Sequence, residues 1–204
     1  MPGIGGILVQ AVPPGYVDPH QNAAITAQLI NFNPLDPAGT VAHTLDRNLI
    51  TSGAVAAVNT TGTVAAHAVG LFTGQVVSNI SVLTGGTAAV APSHLWFGLM
   101  DANSNVLAVT ADQGGAAQAA NTLITLPLVA PVGIGAPGLY YVIVSSSAAT
   151  TAPTLSGIAQ GPASIVPTPA LCGTAGVQAA PPAVGATLSA VTANVNMNFA
   201  AWLS

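Results

Sequence analysis

The chain has 204 residues, of which 51% are hydrophobic and only 3% charged, for a formal net charge of −4, whereas an average soluble protein is about one-quarter charged. Lys and Glu are absent, so the ionic side chains are Arg47 and the aspartates Asp18, Asp36, Asp46, Asp101 and Asp112. A single cation cannot neutralise a run of phosphates or hold an anionic bilayer, which excludes nucleic acid and charged membrane surfaces as partners.

Residues 1–48 carry Pro and Gly too often for a long helix or a central strand, as in VPPGY, VDPH and NPLDPAG. Apolar side chains such as Ile7, Val9, Leu29 and Phe32 are nevertheless present. A segment of this kind cannot build its own core and is too apolar for a solvated tail. It is expected to be an extended arm whose apolar residues make assembly contacts with a neighbouring subunit. At VAHTLDRN, His43, Asp46 and Arg47 form a polar cluster, for which an Asp/Arg pair at the entry to the main domain is the simpler reading and a functional contact the other.

Residues 49–204 read as one all-β domain, an antiparallel, jelly-roll-like β-sandwich. Two strands are predicted near Leu49 to Val58 and Thr63 to Phe72. VVSNISVL, HLWFGLM, VLAVT, NTLITLPL and GLYYVIVSS follow, separated by turn residues about every ten positions. In HLWFGLM, Leu95, Phe97 and Leu99 share one face, expected to be core, while His94, Trp96, Gly98 and Met100 share a half-exposed one. SAATTAPTLSG and the Pro/Gly-rich run at about 161–186 are predicted to be loops. From Val191 to Phe199 apolar odd positions alternate with polar even ones, which predicts a closing strand that pairs with an early one, with Trp202 anchoring the end.

No stretch reaches the ~20 apolar residues of a spanning helix. The nearest, Leu123 to Ile134, is broken by Pro127 and Pro131, so membrane insertion is not expected. The first positive residue is Arg47, so no secretory signal is expected either. A nearly uncharged surface carries little of the repulsion that keeps copies apart, which favours life in an assembly. Cys172 has no second Cys to pair with and no cationic neighbour in TPALCGTAG, so an inert thiol is expected.

Chemistry-bearing patterns are sparse. Asp101, Asn103 and Asn105 have the 1, 3, 5 spacing of a calcium loop, but Val106 stands where that loop needs Gly, and Asp112 where it needs a bidentate Glu. A hairpin turn explains DANSN better. His20, His43, His67 and His94 lack zinc-motif spacing, and no G-x-S-x-G elbow occurs. Two carboxylates across a cleft, as glycoside hydrolysis requires, would have to be Asp101 and Asp112, both in predicted turns. No enzyme activity, cofactor or metal is expected. Trp96, Tyr140 and Tyr141 could form a platform for a host-surface glycan or a partner, with packing in the core as the competing reading. Asn59-Thr60-Thr61 and Asn79-Ile80-Ser81 match the glycosylation sequon but carry little weight without an export signal.

The segments VVSNISVLTGGTAAVAPSHLWFGLMDANSNVLAVTADQ, AANTLITLPL, GLYYVIVSSSAATTAPTLSG and FAAWLS, in this order, resemble a β-sandwich module of minor structural proteins in tailed bacteriophages of actinobacterial hosts. The likeness covers residues 49–204. It implies a virion protein: a capsid decoration or head-fibre component, a minor tail protein, or an adhesion module on the particle surface. It further implies other virion proteins as partners and a homo-oligomer, commonly a trimer. Assembly in the cytoplasm and release by lysis would suit a chain with neither export signal nor disulfides.

Overall fold

The computed structural model describes residues 36–46, 50–57, 61–147, 150–158, 169–194 and 198–204. The proposed arm residues Ile7, Val9, Leu29 and Phe32 lie outside these, as do Arg47 and Asn59. Among the described residues there is no helix. The strands are β1 (Ala42–His43), β2 (Thr51–Ala57), β3 (Thr63–Leu71), β4 (Val76–Leu83), β5 (His94–Asp101), β6 (Val106–Val109), β7 (Leu123–Gly133), β8 (Gly138–Ser147), β9 (Thr154–Gly157), β10 (Cys172–Val177), β11 (Thr192–Ala193) and β12 (Ala201–Leu203).

A four-stranded sheet in the order β1-β12-β4-β7 packs against a six-stranded sheet in the order β11-β10-β3-β8-β5-β6, and β2 pairs with β9 in a separate ribbon. All pairings are antiparallel. The fold is therefore an antiparallel β-sandwich. Its core lies between the sheets: Val77, Ile80, Val82, Ala201 and Leu203 from one face meet Val69, Leu95, Phe97, Leu99, Val142 and Val144 from the other. Alternation in each strand sends these residues inward together.

On β5 one face is as expected and the other is not. Leu95, Phe97 and Leu99 do face the core, but the opposite face is also covered. Trp96, Met100, Tyr141 and Ile143 form a second apolar cluster with Leu188 and the half-buried Val191. The chain after β10 is fastened over this face as a strap. Ser145 Oγ donates to Gln178 O (3.0 Å), Ser147 Oγ donates to Ala179 O (3.2 Å), Val106 N donates to Ala186 O (2.9 Å) and Leu188 N donates to Ser104 O (2.9 Å). Local alternation shows which side chains share a face, but not whether a distant segment lies over it.

Four boundaries differ from expectation. Residues 36–46, assigned to the arm, belong to the sandwich: β1 pairs with β12, and Thr44 Oγ1 donates to Phe199 O at 2.8 Å. The predicted loop at about 161–186 contains β10, which pairs with β3 and β11. Gly173 permits this, because a Cβ there would sit on the Thr192 carbonyl. SAATTAPTLSG contains β9. Of the alternating segment Val191 to Phe199, only Thr192–Ala193 form a strand among the described residues, β11 of the six-stranded sheet, while Asn194 and Asn198 lie outside strands and Phe199 makes a single bridge to Gly157. Closure by the C-terminus on an early strand is nevertheless observed, through β12 and β1.

Candidate functional site

On the outer face of the four-stranded sheet, pairing places His43 opposite Trp202, Trp202 opposite Ser81, and Ser81 opposite Thr125, so one transverse row crosses all four strands. Ser81 Oγ and Thr125 Oγ1 are 2.7 Å apart, which confirms a shared face. At the other end of the row a carboxylate is buried. Asp36 Oδ1 accepts the Trp202 indole N–H at 2.8 Å, and its Oδ2 lies 2.7 Å from His43 Nδ1. The Asp36 side chain is only 4% exposed and that of His43 6%. A buried carboxylate needs such donors, because its desolvation would otherwise be costly. His43 therefore pairs with Asp36, through a contact that no local spacing announced.

Beside this row, Pro37, Ile50, Leu83, Leu123 and Trp202 line a cleft of ≈ 250 Å³. These side chains are apolar while the rest of the wall includes polar surface, so an aliphatic or aromatic group fits against them better than an ion does. From the cleft, an uncharged stripe runs along β4 and β7 through Thr125 and Pro127 towards Val76, which is 53% exposed. Val129, on the bulge of β7, is 73% exposed. A smaller space beside Leu95, Phe97, Val144 and Leu155 has ≈ 10 Å³, about the room of one water.

Of the two readings of Trp96, Tyr140 and Tyr141, packing in the core is the one observed, and no aromatic platform forms. Trp96 is 0% exposed and Tyr141 3%, both beneath the strap. Tyr141 donates its hydroxyl to Ala170 O at 2.9 Å. Its neighbour Tyr140, half-buried, packs on the opposite face against the main core, and its hydroxyl donates to Ala136 O. Adjacent strand residues point to opposite faces, so the two tyrosines cannot present one surface. The indole N–H of Trp96 is buried without a partner.

The DANSN segment is the β5–β6 hairpin turn. Asp101 Oδ1 accepts the main-chain N–H of Asn103 (2.8 Å) and of Asn105 (2.9 Å), and Oδ2 accepts the Asn105 amide at 3.0 Å. The carboxylate thus organises the turn. Among the described residues no group of three His, Cys, Asp or Glu could hold a metal. Cys172 is buried on β10, and desolvation raises its thiol pKa, the condition of an unreactive thiol.

Two histidine sites escaped the sequence reading. His94 Nδ1 lies 2.5 Å from Asp112 Oδ2, while Asp112 Oδ1 accepts the N–H of Leu95 and of Gly114. This pair ties the start of β5 to the segment after β6. His67 points between the sheets, 4% exposed, with Nδ1 at 2.7 Å from Phe199 O. Burial lowers its pKa from 6.5 to about 4, only partly opposed by the hydrogen bond to Phe199. Its imidazole is therefore neutral near pH 7, and Nδ1 donates to the carbonyl. The separations in sequence, 18 residues in one case and 132 in the other, explain why neither was visible locally.

The fold and the described sites define an antiparallel β-sandwich whose polar groups are mostly engaged in holding strands and turns. No family model, no curated protein and no solved structure matches the chain. No helix among the described residues is long and apolar enough to cross a membrane.

Proposed function

We propose that the chain is a non-enzymatic structural component of a bacteriophage virion, a capsid decoration or head-fibre protein that assembles as a homo-oligomer against other virion proteins. The observation that carries this reading is the character of the surface. Large apolar side chains stand exposed on it, Val129 at 73%, Val184 at 65% and Val177 at 61%, in a chain with 3% charged residues. Such a surface suits permanent neighbours better than free diffusion.

The resemblance of residues 49–204 to phage minor structural proteins adds the kind of assembly. The engagement of Asp36, Asp101 and Asp112 in holding turns and strands supports a scaffold rather than a catalyst. The test is mass spectrometry of purified particles, followed by cryo-electron microscopy to locate the density. Density on the tail would move the assignment to a minor tail protein. Absence of the chain from purified particles would overturn the virion reading.

A further inference from the structure

We infer that His67 is an acid-sensitive latch, which holds residues 198–204 in the sandwich and lets them go when its imidazole is protonated. His67 stands on the inner face of β3, 4% exposed, and its Nδ1 donates to Phe199 O at 2.7 Å. The same carbonyl accepts the Thr44 hydroxyl at 2.8 Å, and Thr44 Oγ1 in turn accepts the N–H of Ala201 at 2.9 Å. One carbonyl thus joins the six-stranded sheet to the start of β12 and to the residue after β1.

Protonation adds an N–H at Nε2 and places a charge between the sheets. Among the described residues no ionised group faces it. Cys172, directly opposite on β10, has its thiol pKa raised by burial and brings no charge. Tyr140 lies diagonally across on β8, with its hydroxyl turned to Ala136 O. From the facing sheet come Phe199 and Thr44. β4 and β9 carry no ionisable side chain, and the Asp36–His43 pair lies on the outer face of its sheet. A buried cation without a partner is costly, so the charged ring is accommodated only where a layer lifts and water reaches it.

Every opening that solvates His67 gains the same proton-linked free energy, so the one that gives up least structure populates first. β3 itself is held by seven paired residues of β8 on one side and by β10 on the other. The element facing the imidazole is shorter: β12 has three residues, paired with β4 and with the two-residue β1. The C-terminal segment is therefore the part that moves. Its departure leaves one side of β4 unpaired from Ile80 to Val82, an edge to which a strand of another chain can add.

Burial lowers the imidazole pKa from 6.5 to about 4, so the opening equilibrium should rise about thirtyfold between about pH 7.5 and about pH 5. Hydrogen exchange of the full chain, referenced to the unfolded chain at each pH, reads this at the N–H groups of Thr44, Ala201 and Ser204, which are bonded across the segment. These should exchange faster than the amides of β5 and β8 at both pH values and show the full gain at the lower one, whereas in His67→Asn the gain should stay below about threefold. An undiminished gain in the variant overturns the latch. So does equal protection of these three N–H groups and the β5 and β8 amides in the parent at the lower pH, because exchange then requires global unfolding, and this readout stands even where the variant does not fold. Neither result bears on whether the chain is found in phage particles.

Discussion

Acidification should destabilise this sandwich through His67, and the size of the effect can be worked from its setting. The imidazole is 4% exposed between the sheets, with its ring tilted against Phe199 at 5.7 Å between centroids. Burial lowers its pKa from 6.5 to about 4. The unfolded chain therefore binds a proton that the folded chain refuses throughout that interval. A folded-state pKa below the unfolded value means stability that is present above pH 6.5 and is lost as pH falls through about 4. The interval from 6.5 to about 4, at about 1.4 kcal/mol per pH unit, amounts to about 3 kcal/mol, a substantial part of the ~5–15 kcal/mol of a typical domain. The perturbation is His67→Asn, whose amide N–H stands in the place of Nδ1–H towards Phe199 O but cannot titrate. Urea unfolding followed by circular dichroism should be measured for both proteins at about pH 7, 5.5 and 4.5. The parent should lose more stability than the variant over this range, by about 2–3 kcal/mol. Parallel losses in the two proteins would refute the assignment of the acid sensitivity to this buried imidazole.

Asp36→Ala should cost about 2–4 kcal/mol, because it leaves the Trp202 indole N–H and His43 without their shared acceptor; thermal unfolding with Trp fluorescence would measure it. Gly157→Ala should destabilise by about 1–3 kcal/mol, since the added methyl would collide with the Asn198 carbonyl; a melting temperature equal to the parent's would show that the β9 contact yields freely. Cys172, buried with its thiol pKa raised, should react with a thiol reagent such as dithionitrobenzoate only after unfolding, so its labelling rate in the native state should track the unfolding rate. Asp101→Ala should loosen the β5–β6 hairpin by about 1–2 kcal/mol, and added calcium should leave the melting temperature of the parent unchanged, as expected for a carboxylate engaged by turn N–H groups.

By itself the sequence determined the class of fold and most strand positions. Period-two alternation and turn residues are local properties, and they placed β3, β4, β5, β6 and β8 close to where they are observed. The DANSN hairpin was legible for the same reason, because an Asp side chain reaches N–H groups two and four residues on. Only the tertiary structure decided which faces are buried. Trp96 lies beneath a strap that begins some eighty residues later in the chain, so its burial on this face, which the alternation reading left half-exposed, depended on a contact that no window contains. Cys172–Val177 is a strand because β3 and β11 provide neighbours for a segment whose composition alone suggests a loop. Likewise, Asp36 meets Trp202 across 166 residues of sequence. The row His43, Trp202, Ser81 and Thr125 exists only because four strands distant in the chain come into register, since hydrogen-bonded pairing, rather than local propensity, sets which side chains stand side by side.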